Sequence, residues 1–199
     1  MEIEWQYANQ VFTFEIKRFF MSIKIGIFGS AFNPPTMGHA NAILQVRDQF
    51  DEIWMVPNFS HAFGKQMVDF DLRCKLVDAF SKEMVDNYGV KVKGEYCERD
   101  IAKDGKPVYS YDLLSHLTQK HPGCEFSLII GKDNEDNFDA FYRSAEIKEK
   151  WSLSVAQDIV SIRSTLVRNL IKEGKTIDEV VFPLVKDVIF REGIDKSYI

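Results

Sequence analysis

The stretch Gly29-Ser-Ala-Phe-Asn-Pro-Pro-Thr-Met-Gly-His39 joins an apolar run at 23–28 to a segment of helical character at 38–49. The apolar run is typical of a buried strand, which the Gly/Ser turn and the two prolines end. In α/β proteins a phosphate binds where such a strand passes into a helix, because the first N–H groups of the helix point at it. His39 falls in the first helical turn. We therefore predict that it faces an anion site and donates a hydrogen bond to phosphate oxygens.

Strand-like and helix-like segments alternate along the rest of the chain. The predicted strands are 23–28, 52–56, 90–92, 126–130 and 151–156, and the main predicted helices are 38–49, 72–88, 111–119, 134–142, 145–150, 165–173 and 183–191. This alternation is typical of βαβ units and a parallel sheet. The sequence therefore predicts an α/β fold, a Rossmann-like doubly wound parallel sheet with helices on both faces.

Length and composition restrict the class of protein. The 199 residues fit one domain, which we assign to 22–199, and 45% hydrophobic with 28% charged residues is ordinary for a soluble globular protein. A net charge of −5 argues against nucleic acid or an anionic membrane as a partner. Three separated cysteines without a C-x-x-C pair predict buried thiols in a reducing compartment, so we expect a cytoplasmic protein without a zinc site or disulfides.

Residues 1–21 form an N-terminal extension to this domain. Charged side chains such as Glu2, Glu4 and Glu15 interrupt its apolar positions, which argues against a signal peptide. Its aromatic residues alternate loosely and predict one or two short strands. Met21 is an alternative start, so the extension is either an added arm or a segment without a part in the chemistry.

A second motif is the string Ile162-Arg-Ser-Thr-Leu-Val-Arg168. Ser164 is predicted to cap a helix, and Arg168 lies one turn later on the same side as Ser164 and Thr165. The helix dipole, two hydroxyl groups and a guanidinium would then meet at one point, which suits a polyphosphate. The alternative is a Ser-capped surface helix with solvated arginines.

A third motif, Leu128-Ile-Ile-Gly-Lys-Asp133, ends a predicted strand with Gly-x-Asp. A carboxylate at the end of such a strand can accept both hydroxyl groups of a ribose. Gly131 would let an adenosine approach the backbone closely. The alternative is that Asp133 caps the short helix that follows.

The first motif resembles the T/H-x-G-H signature of the nucleotidylyltransferase superfamily, and the second resembles its S-T-x-x-R motif at the same place, after the last strand. Further similarity lies at 57–65, at Tyr109-Ser-Tyr-Asp-Leu-Leu114, at 130–133 and at 182–189. Over about 23–190 the chain resembles the nicotinate (nicotinamide) mononucleotide adenylyltransferase family.

The resemblance implies transfer of AMP from ATP to nicotinate mononucleotide, with Mg²⁺ carried by ATP and no metal ligands from the protein. The implied catalytic residues are His39, Thr36, Arg168 and Lys65, with His61 a weaker candidate beside Lys65. The implied ATP-binding residues are Gly29, Ser30, Phe32, Gly38, His39, Gly131, Asp133, Ser164, Thr165 and Arg168. The implied mononucleotide-binding residues are Ser30, Ala31, Tyr109, Ser110, Tyr111 and Phe141.

Several positions depart from the family pattern. Ser30 and Ala31 stand where members often carry Gly-Thr, Asn33 replaces an Asp, and Phe141 is offered in place of a Trp. These departures bear on the acceptor more than on the reaction. Nicotinamide mononucleotide, phosphopantetheine and FMN therefore remain alternative acceptors, and a non-catalytic nucleotide-binding sensor is the alternative from another class. The sequence leaves open the acid or amide preference and whether the chain forms a homo-oligomer.

Overall fold

The computed structural model describes residues 22–60, 67–102 and 106–199. Five parallel strands in these ranges form a sheet of order β3-β2-β1-β4-β5. The strands are β1 (Ile23–Ser30), β2 (Glu52–Pro57), β3 (Val92–Gly94), β4 (Cys124–Gly131) and β5 (Ser152–Ala156). The predicted Rossmann-like parallel sheet is confirmed. The extension at 1–21, with its predicted strands, lies outside the described residues.

Helices connect the strands and follow β5. They are α1 (Met37–Val46), α2 (Phe70–Tyr88), α3 (Glu98–Ile101), α4 (Ser110–Lys120), α5 (Lys132–Asp136), α6 (Ser144–Lys150), α7 (Ser164–Lys172) and α8 (Pro183–Arg191). The ends of α2 show how local sequence sets these bounds. The Asp69 side chain accepts hydrogen bonds from two N–H groups of the first turn, and Gly89, at φ 64°, ends the helix in the left-handed conformation. None of the helices in the described ranges is long and apolar enough to cross a membrane.

The two faces of the sheet carry separate hydrophobic cores. Alternate residues of a strand point to opposite faces, so Ile25 and Ile27 of β1 pack with Leu114 of α4, whereas Phe28 packs with Ile43 of α1. Helices α4 and α6 cover the first face, and α1, α2, α7 and α8 cover the second. Helices on both faces were predicted, and this is confirmed.

The centre of the sheet determines where a ligand can enter. β1 lies between β2 and β4, and the chain continues from β1 toward β2 but from β4 toward β5. The loops after β1 and β4 therefore separate, which opens a crevice at the carboxyl ends of these strands. The first and third motifs both lie at this crevice.

Some predicted boundaries differ from the structure. The predicted helix at 134–142 is divided into α5 and a 3-10 turn, Phe138–Ala140, because the rings of Phe138 and Phe141 stack 4.8 Å apart and Phe138 is buried in the core. The helix predicted at 111–119 begins one residue earlier, because Tyr109 is the N-cap and Ser110 is the first residue of α4. The short helix α3 was not among the predicted helices.

Candidate active site

A cavity of about 760 Å³ lies at the carboxyl ends of β1, β4 and β5 and is bordered by the N-terminal ends of α1 and α7. Residues from all three motifs meet there although they are far apart in the sequence. The predicted site residues that line it are Gly29, Ser30, Ala31, Gly38, His39, Gly131, Asp133, Ser164, Thr165 and Arg168.

His39 presents a neutral hydrogen-bond donor to this cavity. The backbone N–H of Thr36 donates to its Nδ1 at 3.0 Å. When one ring nitrogen of a neutral imidazole accepts, the other carries the hydrogen, so Nε2 is the donor. Nε2 lies 3.5 Å from Oγ of Ser30, which also lines the cavity. Burial lowers the pKa of His39 to about 4, so the ring is uncharged near neutral pH.

Phe32 supports the His39 ring from behind. It is fully buried, its backbone adopts φ 45°, and its ring centroid lies 5.2 Å from that of His39. We expected Phe32 among the ATP-binding residues, but its ring does not line the cavity. A left-handed backbone is costly for a bulky residue, and here it turns the side chain inward.

Thr36 links the first motif to the second. Its side chain is buried, and its hydroxyl donates to the backbone oxygen of Ile162 at 2.8 Å. We expected this hydroxyl to orient a phosphate, but its one hydrogen is given to Ile162, and Thr36 does not line the cavity. In the structure the Thr36 hydroxyl therefore links two loops, and direct contact with a phosphate is not its role. The Thr36 backbone N–H holds the His39 ring.

The N-terminus of α7 reaches across to the first motif. Arg163 occupies the N-cap, and Ser164, predicted as the cap, is the first helical residue. The Ser164 hydroxyl donates to the backbone oxygen of Pro34 at 2.7 Å. Arg168 donates to the backbone oxygen of Asn33 at 2.8 Å and to Oγ1 of Thr165 at 3.1 Å. An arginine side chain accepts no hydrogen bond, and none of the described residues accepts from the N–H groups of Ser164 and Thr165, so these two groups can bind an anion.

Tyr198 adds a contact that no local pattern indicated. Its hydroxyl donates to Oδ1 of Asn33 at 3.0 Å, and both side chains are buried. Burial raises the pKa of Tyr198 well above its usual range, so the phenol keeps its hydrogen. Tyr198, near the C-terminus, therefore stabilises the loop of the first motif through Asn33.

Two buried ionisable residues, Arg73 and Glu98, lie beneath the site. Arg73 donates to the backbone oxygens of Val68 at 2.9 Å, Ala31 at 2.9 Å and Phe59 at 3.5 Å. The Glu98 carboxylate accepts from the N–H of Phe59 at 2.7 Å and from the Asn58 amide at 3.2 Å. Arg73 thus has a structural role, because it holds three backbone carbonyl groups together.

A prediction follows for the pH dependence of stability. Burial raises the pKa of Glu98 from 4.5 to about 7, although the Phe59 N–H, the Asn58 amide and the Arg73 charge oppose this. The folded state therefore holds a proton that the unfolded chain releases near 4.5. We expect this group to lower the free energy of unfolding by about 3 kcal/mol as the pH rises from 4.5 through 7.

Urea unfolding at pH 5 and pH 8 measures this effect. His39, whose pKa burial lowers to about 4, contributes with the opposite sign over this range, so the effect of Glu98 is measured as a difference between variants. From pH 5 to pH 8 the wild type should lose about 2–3 kcal/mol of unfolding free energy relative to Glu98→Gln, whereas Glu149→Gln, at an exposed position, should match the wild type. An equal pH dependence in the wild type and Glu98→Gln would contradict the assignment.

Asp133 is the second residue of α5, directly after β4, and its half-exposed side chain lines the cavity. Its Oδ1 accepts from the N–H of Asn134 at 2.9 Å, and its Oδ2 lies 3.3 Å from Nη1 of Arg163. A β-carbon at Gly131 would lie 2.8 Å from Oδ1 of Asp133. A glycine at 131 therefore leaves this carboxylate undisturbed.

The predicted mononucleotide-binding residues are only partly brought together. Ser30 and Ala31 line the cavity, but Tyr109, Ser110, Tyr111 and Phe141 do not. Tyr109 is half-exposed, and Tyr111 is buried with its hydroxyl 3.0 Å from Nζ of Lys150. The cavity wall on this side is made by Pro107 and Val108, which directly precede them. Lys65 and His61 lie outside the described residues.

Several residues that line the cavity had no role predicted from the sequence. Asn58, Ser60, Asp158 and Arg163 also line it. Arg163 and Asn58 had a signal, since they lie inside the second motif and inside the similar stretch at 57–65, whereas Asp158 lies in a loop without a distinctive pattern. Within the described ranges, no group of three or more His, Cys, Asp or Glu residues is placed to hold a metal ion.

Comparisons with known proteins show which proteins this chain is similar to. A family model described as cytidylyltransferase-like matches residues 27–170. A "Probable nicotinate-nucleotide adenylyltransferase" of Myxococcus xanthus is 29% identical and covers 80% of this chain and 88% of its own. The crystal structure of a "Putative Nicotinate-nucleotide Adenylyltransferase" from Vibrio parahaemolyticus is 35% identical, with a TM-score of 0.74 over 87% of this chain and 96% of its own. A nicotinic acid mononucleotide adenylyltransferase of Plasmodium falciparum complexed with NaAD, 17% identical, shares the fold, with a TM-score of 0.67 over 87% of this chain and 98% of its own.

Proposed function

The chain belongs to the cytidylyltransferase-like family, and we propose that it is a nicotinate-nucleotide adenylyltransferase of NAD biosynthesis. It transfers AMP from ATP to nicotinate mononucleotide and gives deamido-NAD and pyrophosphate. The observation that carries this function is the meeting of His39, the start of α7 and Arg168 at one cavity. The names of the similar proteins support the same reaction.

The reaction is an in-line displacement at phosphorus. An oxygen of the mononucleotide 5′-phosphate attacks the α-phosphorus of ATP, and the bond from that phosphorus to the bridging oxygen of pyrophosphate breaks. No covalent intermediate with the protein is needed, so catalysis rests on positioning and on stabilisation of charge. The His39 Nε2–H donates to a non-bridging oxygen of the α-phosphate, where negative charge increases in the transition state.

The start of α7 holds the leaving group in this proposal. Its free N–H groups at Ser164 and Thr165 and the guanidinium of Arg168 contact the β- and γ-phosphates. Lys65 assists from the loop that follows β2. Thr36 acts indirectly, because it holds the His39 ring and ties the two motifs together.

The adenosine and the acceptor occupy the two sides of the cavity in this proposal. Asp133 accepts the ribose hydroxyl groups, and Gly131 allows the adenosine close to the end of β4. Ser30 and Ala31 contact the mononucleotide, and Tyr109, Ser110, Tyr111 and Phe141 form the outer wall for its pyridine ring.

Nucleotidyltransferases of this kind generally use a divalent metal ion with ATP. We propose that the ion is Mg²⁺ and that it enters as the MgATP complex, where it neutralises charge on the leaving pyrophosphate. The cavity fits this arrangement, because its described carboxylates, Asp133 and Asp158, contact Arg163 and are not gathered into a metal-binding group.

Small-molecule nucleotides are thus the partners. We further propose that residues 22–199 form a single catalytic domain and that the protein acts in the cytoplasm, in keeping with its three separated cysteines.

Release of pyrophosphate with MgATP and a series of acceptors tests the function. We expect nicotinate mononucleotide to react fastest, ahead of nicotinamide mononucleotide, with phosphopantetheine inactive. A preference for either of the other acceptors would replace the proposed substrate. Binding of ATP without turnover of any acceptor would favour the nucleotide sensor instead.

A further inference from the structure

Arg163 spans the mouth of the cavity. Its Nη2 lies 2.7 Å from Oδ2 of Asp158, and its Nη1 lies 3.3 Å from Oδ2 of Asp133. The side chain is 61% exposed and also lines the cavity. The Arg163 guanidinium at the start of α7 thus contacts Asp158 in the loop after β5 and Asp133 in α5, the helix that follows β4.

Stability does not account for an arginine at this position. Exposed ion pairs contribute little, typically under about 1 kcal/mol. Arg163 is also the N-cap of α7, where a cation is unfavourable to the helix dipole and where its side chain makes no capping hydrogen bond. An anion bound at this helix end would interact favourably with the helix dipole and with the Arg163 charge. It would also accept hydrogen bonds from the N–H groups that the Arg163 side chain does not cap.

The charge of the cavity points the same way. Among the described residues that line it, Asp133 and Asp158 offset Arg163 and Arg168. His39 contributes no charge near neutral pH, because burial lowers its pKa to about 4. Arg168 already donates to a backbone oxygen and to Thr165. Beside Arg168, Lys65 and the metal ion, the Arg163 guanidinium is a further cation within reach of a triphosphate, and to bind it Arg163 has to leave at least one of its carboxylate partners.

We propose that Arg163 is a nucleotide-binding residue that changes partners when ATP binds, moving from Asp133 to the triphosphate and leaving the Asp133 carboxylate to the ribose. This inference rests on the proposed function, since it takes ATP as the ligand. The longer of the two ion-pair contacts, to Asp133, is the one that breaks. Asp158 keeps the guanidinium near the start of α7 during the exchange.

Adenosine and ATP should respond differently to Arg163. Adenosine has no phosphate to attract the guanidinium, so it must compete with Arg163 for Asp133. ATP supplies the replacement partner together with the ribose. The ratio of the two dissociation constants therefore reports the exchange, independently of any acceptor or of catalysis.

Calorimetric titration of the full chain with adenosine and with MgATP, without acceptor, tests this. Arg163→Ala should weaken MgATP binding by about tenfold or more, as loss of a charge-assisted hydrogen bond does, and leave adenosine binding equal or up to about threefold tighter. Arg163→Lys should retain part of the MgATP affinity. Arg191→Ala, which removes an exposed arginine outside the cavity, should change neither constant.

An equal change for both ligands in Arg163→Ala, or no change for MgATP, would overturn the exchange. If the wild type turns over nicotinate mononucleotide and Arg163→Ala gives either of these results, the inference fails and the proposed function stands. If the wild type does not bind MgATP, both fail.

Discussion

Replacement of His39 by alanine is expected to lower kcat by about 100-fold or more, with little change in the KM for ATP. In the proposed mechanism the Nε2–H donates to the α-phosphate, where charge increases during the reaction, and loss of one such donor typically has this effect. Because the interaction strengthens only in the transition state, binding of the ground state should be nearly unaffected. Steady-state kinetics of pyrophosphate release with the full chain measures both constants.

His39→Asn separates donation from positioning. Its amide oxygen lies near the place of Nδ1 and can still accept from the Thr36 N–H, but it has no group at the place of Nε2. We therefore expect His39→Asn to be as slow as His39→Ala. A near-normal kcat in either variant would contradict the catalytic role of His39, and recovery in His39→Asn alone would make it a positioning residue.

Gly38→Ala is the second change with a large expected effect. A β-carbon at position 38 would lie 2.3 Å from the backbone oxygen of Ile162 and 3.2 Å from its carbonyl carbon. These are backbone atoms that cannot rotate away, and the same oxygen accepts the Thr36 hydroxyl. The two motifs must therefore move apart. We expect kcat to fall by about 100-fold, since small displacements of a phosphate site are costly.

The stability of Gly38→Ala should fall by about 1–3 kcal/mol from the overpacking, offset by about 1 kcal/mol of improved helix propensity. Urea unfolding measures the net change. Gly29→Ala is the matched control for stability, because it lies in the same motif and a β-carbon there meets no atom within 4 Å. Equal stability of the two variants together with an active Gly38→Ala would show that the close approach to Ile162 is not required.

Local patterns were sufficient to predict much of this site. The apolar run of β1, the turn after it and the helical period of α1 lie within about 25 consecutive residues, and each is determined by its own neighbours. The same holds for the start of α7. His39 and Arg168 could be placed at one anion site because helix starts that follow parallel strands meet at the same edge of the sheet.

Contacts between distant segments could not be predicted in this way. Thr36 was expected at a phosphate, but its hydroxyl partner is a backbone oxygen 126 residues away, and a backbone oxygen leaves no mark in the sequence. The buried side chains of Arg73 and Glu98 bind backbone groups of other segments: Arg73 contacts Ala31, and Glu98 contacts Phe59. The partner of Asn33 near the C-terminus is another such case.

A shift of one residue at the start of α7 also mattered. With Ser164 as the cap, Arg163 would stand outside the helix as a solvated side chain. In the structure Arg163 is the cap and Ser164 binds the first motif, because the Pro34 backbone oxygen lies within reach of its hydroxyl. Helix boundaries depend on such tertiary contacts. The motif could therefore be recognised from the sequence, whereas a role for Arg163 could not be predicted.

The most direct test of the account follows the α-phosphorus of ATP. The full chain is incubated with nicotinate mononucleotide and MgATP that carries radioactive phosphorus at the α-position, and the products are separated by chromatography. Transfer of AMP predicts that all transferred label appears in deamido-NAD and that the pyrophosphate is unlabelled. Label in ADP or in free AMP, without labelled dinucleotide, would contradict the proposed reaction.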